Sequence, residues 1–201
     1  MSAGWIPLAL TNPVEHVPLK YLHEHVVMDR PPVGVLHTTE GSFESALGEF
    51  RTKFAPHFLV GNHRIIQFAP IGTMSHALEH HKGTVETNAW ARAQIEIAGA
   101  SKLHPWLPPP STLDPLAALV AVLEDVAGIP LTRAPPDFLP RGVVWATEKN
   151  PRRREGIWGH RAGWFGHIEV PGNSHWDPGA LEYAALFAHA RALKQQFAAW
   201  L

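Results

Sequence analysis

His37, Glu96, His167, His175 and Asp177 are the side chains of this sequence best suited to chemistry. The last three lie in one stretch, Gly159 to Gly179, reading GHRAGWFGHIEVPGNSHWDPG. His167 and Asp177 are ten positions apart across a Pro-Gly-Asn turn, and His175 stands two before Asp177. So many turn residues predict a loop. Loops on a rigid scaffold are where ligating and reacting groups are commonly placed. The chain has no cysteine, so disulfides and thiolate metal sites are excluded. Any metal must be held by imidazole and carboxylate. Zinc takes such donors in a tetrahedron, and a catalytic site leaves one position to water. His37, His167 and Asp177 form a two-histidine, one-carboxylate set for Zn2+. His160 competes with His167 for its place. The opposing reading has His37 capping a strand end and His167 bonded to backbone.

Glu96 lies in AQIEIA, where Ile95 and Ile97 alternate with Gln94 and Glu96. That period of two predicts a half-buried strand whose polar face carries Glu96. A carboxylate on such a strand is costly unless it is paired or used. Beside zinc it would accept a proton from the attacking water. The alternative leaves it on a solvent face. If the chain between His175 and Asp177 is extended, both point the same way, and His175 can donate to an oxyanion near the metal.

Other elements must bring these residues together. The apolar run Val33 to Leu36 ends at His37, which predicts a buried strand delivering that histidine from its C-terminal end. Ser42 suits a helix N-cap, and Phe43, Ala46, Leu47 and Phe50 follow at helical spacing. His57 to Val60 and Arg64 to Phe68 flank Gly61-Asn62-His63, a hairpin signature. Leu103 to Pro110 holds four prolines and is expected to be a loop. Thr112 to Val126 is expected to be a helix started by Asp114-Pro115 and ended by Gly128 and Pro130. Val143 to Ala146 suits a strand or a loop edge. Ala180 to Leu201, free of Gly and Pro, predicts the longest helix. His23 and His25 would share one face of a strand, and Arg152 to Arg154 suit a solvated loop. Strands and helices at short spacing predict one α/β domain over residues 1–201, with a central mixed sheet flanked by helices.

The net charge of −1 offers no field for nucleic acid or an anionic membrane, and both partners are disfavoured. Hydrophobic residues at 45% and charged residues at 17% fit a globular chain. No window holds the ~18 apolar residues that span a bilayer. The N-terminus lacks a basic leader, so no secretory signal is expected and synthesis in the cytoplasm is.

Four blocks carry a resemblance: GVLHTTEG (34–41), APHFLVGNHRIIQFAP (55–70), QIEIAG (94–99) and GHIEVPGNSHWDPG (166–179). Their order resembles that in zinc N-acetylmuramoyl-L-alanine amidases of the amidase-2 group, which includes the peptidoglycan recognition proteins. The resemblance implies a family core over 33–180, an N-terminal extension over 1–32 and a C-terminal helix over 180–201. It implies that His37, His167 and Asp177 hold zinc, which selects His167 over His160. It also implies that Glu96 is the general base and that His175 steadies the tetrahedral intermediate. His57 and His76 match histidines that line or support the cleft and would bind substrate. Some members use a tyrosine just before the His57 position; here Pro56 stands there, which places more weight on Glu96. Trp164 and Phe165 look like part of an insertion, 160–165, before the ligand histidine. The implied partner is peptidoglycan. HTTEG and VPGNSHWDPG are most similar to endolysin amidase domains of phages, enzymes made in the host cytoplasm that act on the wall after release. A cytoplasmic wall-recycling amidase and a non-catalytic peptidoglycan-binding module are the alternatives.

Overall fold

The computed structural model describes residues 4–6, 8–10, 12–19, 29–52, 54–78, 85–135 and 155–198. Nine strands run in chain order: β1 Leu8–Ala9, β2 Asn12–His16, β3 Val33–Thr38, β4 Phe58–Gly61, β5 Arg64–Gln67, β6 Ala91–Ile97, β7 Lys102–Trp106, β8 Gly163–Gly166 and β9 Gly179–Leu181. The helices are α1 Phe43–Phe50, α2 Pro110–Ala127, α3 Glu155–Trp158 and α4 Tyr183–Ala198. Seven strands form one mixed sheet in the order β1-β2-β5-β4-β6-β3-β8, and β7 pairs with β9 separately. The expected α/β architecture is present. Within the N-terminal stretch, β1 and β2 extend the main sheet at its edge.

Strand β3 lies between two parallel partners, β6 and β8. All six of its residues are buried, as a central parallel strand requires. One face of the sheet carries Leu36, Phe58, Val60, Ile95 and Ile97, which pack in one cluster with the apolar stripes of α2 and α4. The other face carries Val35 and Phe165 in a second cluster, while Leu59 joins Phe43, Ala46 and Leu47 of α1 in a third. The sheet is thus covered on both sides.

The local reasons are specific. The Ser42 side chain caps α1 by accepting from the Ser45 backbone N–H at 3.2 Å. The β4–β5 hairpin turns at Asn62 and His63, with φ of 50° and 60°, the doubly left-handed pair of a type I′ turn. Helix α2 begins at Pro110, before the expected start, so Pro115 lies inside it. Proline has no N–H, which deprives the Ser111 carbonyl of its helical partner. The His63 backbone N–H supplies that carbonyl instead at 2.6 Å, tying the hairpin to α2. Gly128, at φ 69°, ends the helix in the left-handed conformation glycine tolerates.

Two sequence expectations are corrected. Trp164 and Phe165 are no insertion: they form the body of β8, both are buried, and Trp164 lies over Gly34 of β3. A Cβ at Gly34 would stand 2.6 Å from the indole, so only glycine admits this ring. Glycines flanking two aromatics read as a turn-rich stretch, whereas in place they let β8 close against β3. Lys102–Trp106 forms β7 rather than a loop, because Pro105 falls on a short two-stranded ladder where a missing donor is tolerated. His23, His25, Val143 to Ala146 and Arg152 to Arg154 lie outside the described residues.

Candidate metal centre

The register of the sheet builds the first half of the site. His37 is the register partner of Glu96 across β3 and β6, so both side chains project from the same face. The Leu59 partner of Glu96 on β4 continues that row. The His37 ring is buried; Glu96 is half-buried, but its Oε2 is shielded from solvent and has no hydrogen-bond partner among the described residues. The pattern suggested a half-buried strand, and on its polar face Arg92 and Glu96 are partly exposed while Gln94 between them is fully buried.

The second half follows β8. A 3-10 turn, His167–Glu169, places His167, and the chain returns through the Pro171-Gly172-Asn173 turn to Asp177. This loop is held by its own polar groups. The Asn173 side-chain amide donates to the carbonyls of Val170 at 2.6 Å and His167 at 3.4 Å. The His175 backbone N–H donates to Asn173 Oδ1 at 2.8 Å. The Ile168 N–H donates to the Asp177 carbonyl at 2.8 Å, which closes the loop upon itself. The buried carboxylate of Glu169 accepts from the Gly166 N–H at 2.9 Å and pairs with Arg133, whose guanidinium lies 3.9 Å from the centre of the Tyr183 ring.

The halves meet at two ring nitrogens and one carboxylate. His37 Nδ1 and His167 Nδ1 are 3.0 Å apart. Asp177 approaches His167 Nδ1 at 3.2 Å through Oδ1 and His37 Nδ1 at 3.7 Å through Oδ2. Asp177 Oδ2 also accepts from the Thr38 backbone N–H at 3.3 Å, which fixes the carboxylate to the end of β3. All three residues are buried, and the three form a group able to hold a metal ion. A tetrahedral ion bound at roughly 2.0–2.1 Å requires donor separations of about 3.3 Å. The observed separations bracket that value. Imidazole and carboxylate donors suit zinc among the common ions.

Electrostatics agree with a cation at this point. Burial, and then the neighbouring His167, hold His37 down at about 3, so its ring is neutral and ready to ligate. Burial pushes Asp177 up, but hydrogen bonds from His167 and His175 outweigh it and hold the carboxyl well below its ordinary range. Burial, reinforced by the charges of Asp177, Glu40 and Glu49, pushes Glu96 well above its ordinary range. A buried acid beside a second carboxylate and two histidines is the arrangement that a bound cation relieves.

The remaining candidates separate. His175 stacks on His167 with ring centroids 4.2 Å apart and its Nδ1 3.6 Å from Asp177, with its side chain 48% exposed. It stands at the rim between metal position and solvent. His57 is fully buried: its Nδ1 accepts from the Gln94 backbone N–H at 3.1 Å and its Nε2 contacts the Thr73 carbonyl at 2.8 Å. Both ring nitrogens are engaged within the protein. His76 is partly exposed beside Phe54, with ring centroids 5.1 Å apart. His160 is exposed after α3, outside the three-residue group. Thr38, Asn173, Glu169 and Arg133 were missed in the sequence. Asn173 had a signal, since it sits in the Pro-Gly-Asn turn, but its double use of the side chain is visible only in three dimensions.

The family model for N-acetylmuramoyl-L-alanine amidases, Amidase_2, matches residues 28–180. The chain belongs to that family. No curated protein matches the sequence. Among solved structures the amidase is similar to the hydrolase AmiA of Staphylococcus aureus, with TM-score 0.60 and 17% identity over 90% of this chain and 82% of that one. AmpD gives TM-score 0.56 and 16% identity over 96% and 98% of the two chains. The endolysin amidase LysCS of Clostridium intestinale gives 0.53 and 14% over 94% and 99%. At these identities the likeness is one of fold.

Proposed function

We propose that the protein is a zinc-dependent amidase that hydrolyses the bond between N-acetylmuramic acid and L-alanine in peptidoglycan, and that it serves as a phage endolysin. The observation that carries the reading is the buried His37–His167–Asp177 group with Glu96 beside it on the neighbouring strand, an acid whose Oε2 has no hydrogen-bond partner among the described residues. A non-catalytic binding module would have no use for that acid. Zinc, when bound, supplies Lewis acidity at the scissile carbonyl and the positive charge that lets Glu96 ionise. Glu96 accepts a proton from the attacking water at its carboxylate and returns it to the nitrogen of the leaving L-alanine. His175, at the exposed rim, donates to the oxyanion of the tetrahedral intermediate. His76 lines the cleft toward substrate, while His57 supports β6 from beneath. Among the described residues no helix is long and apolar enough to cross a membrane.

The decisive experiment is product analysis of purified peptidoglycan after digestion. New L-alanine amino groups support the assignment; reducing sugar ends or cleaved cross-bridges in their place overturn it. Lysis of intact cells supports the endolysin role. Activity confined to soluble muropeptides would make the enzyme a recycling amidase instead.

A further inference from the structure

Nδ1 is the His37 nitrogen that faces His167 and Asp177. Its other nitrogen, Nε2, points away from the group, is buried and has no hydrogen-bond partner among the described residues. A histidine that offers Nδ1 to a metal must carry its proton on Nε2, and a buried N–H needs an acceptor. The register supplies a candidate. Gln94 pairs with Val35, two residues before His37, so it projects from the same face of the sheet, one step below Glu96. It is fully buried, and its Oε1 also has no partner among the described residues.

The orientation of the Gln94 amide follows from its other neighbours. Asn88 is clamped by one backbone residue: its Oδ1 accepts from the Leu78 N–H at 3.0 Å and its Nδ2 donates to the Leu78 carbonyl at 2.7 Å. That pairing identifies the oxygen of Asn88 without ambiguity. The same Oδ1 accepts from Gln94 Nε2 at 3.1 Å, and this amide nitrogen also reaches the Ser75 carbonyl at 3.4 Å. With its NH2 thus committed, Gln94 can present only its oxygen elsewhere. The backbone N–H of Gln94 is anchored as well, by His57 Nδ1.

We infer that Gln94 is a positioning residue for the metal centre, holding His37 as the Nε2–H tautomer with Nδ1 toward the metal position, and that Asn88 fixes Gln94 through the Leu78 backbone. The inference rests on the zinc reading above. It assigns His57 an indirect part, since His57 holds the backbone from which Gln94 projects.

The test uses the whole chain with labelled histidine. Two-bond proton–nitrogen correlation spectra of the metal-free wild type should show His37 with its proton on Nε2. Gln94→Met keeps the side chain's length and removes the acceptor. It should shift the metal-free His37 toward the Nδ1–H tautomer and weaken zinc, measured by chelator competition, by roughly 10- to 100-fold. An Nδ1–H tautomer in the wild type, or unchanged zinc affinity in Gln94→Met, overturns the inference. Should the variant fail to fold, the wild-type tautomer alone decides. A wild type that binds no zinc would sink the metal reading, while its tautomer would still judge the role of Gln94.

Discussion

His37 and Glu96 stand side by side on central parallel strands, whereas His167 and Asp177 sit ten residues apart on a stretch of turns. The first pair is placed by backbone register and by apolar clusters on both sides of the sheet. The second is placed by individual polar contacts: the Asn173 amide, the Glu169–Arg133 pair and the bond from Thr38 to Asp177. Sheet register is cooperative, because a slip would turn a whole buried face outward. Polar clamps are separable, and each is worth about 1 kcal/mol net. The sheet half is therefore expected to stay ordered with or without metal, while the loop half, held by separable contacts, is expected to gain the more order from a bound ion.

Removal of the metal gives the largest expected effect. A strong chelator should abolish amidase activity, and added zinc should restore it. Hydrogen exchange on the metal-free chain should then rise across residues 167–177 while the amides of β3 and β6 stay protected. Equal loss of protection in both halves would refute the contrast drawn between them.

A sharper test lies wholly within the sheet half. Glu96→Gln keeps shape and removes the proton acceptor. It should retain zinc and lower kcat by roughly 10²- to 10⁴-fold. Its metal-free stability at neutral pH should equal or exceed that of the wild type, because the wild-type acid resists ionisation in a buried, negatively charged setting. Loss of zinc from this variant would show that Glu96 is a ligand rather than a base.

The same contrast governs what the sequence reveals. His37 at the end of an apolar run and Glu96 in an alternating strand are legible, since period and polarity set them out locally. The hairpin at Asn62 is legible through its turn chemistry. Trp164 and Phe165 mislead, because glycines that permit close strand packing look like glycines of a loop. Gln94 is silent for a related reason. Its alternation with Ile95 suggests a wet face, but Ser75, Leu78 and Asn88 cover the sheet there, and coverage is a property of the fold. Two of the polar clamps on the loop half, Arg133–Glu169 and Thr38–Asp177, join residues far apart in the chain, and no local pattern records them.

The smallest effect concerns protons. In the sheet half, burial holds His57 down at about 4 against an ordinary value of 6.5. The folded chain thus keeps this ring neutral where the unfolded chain protonates it. Its contribution is fully present above about 6.5, declines as pH falls toward 4, and changes no further below that. The total for this residue is roughly 3 kcal/mol. His37 is displaced in the same direction and adds to the wild-type slope, so the comparison must isolate His57. His57→Gln keeps a donor and an acceptor but cannot titrate. Urea unfolding of the metal-free chains at several pH values between 7 and 4 should show the wild type losing stability more steeply than the variant. Parallel lines would mean that His57 meets water in the folded state, and that the β6 side of the site is less tightly closed than its register implies.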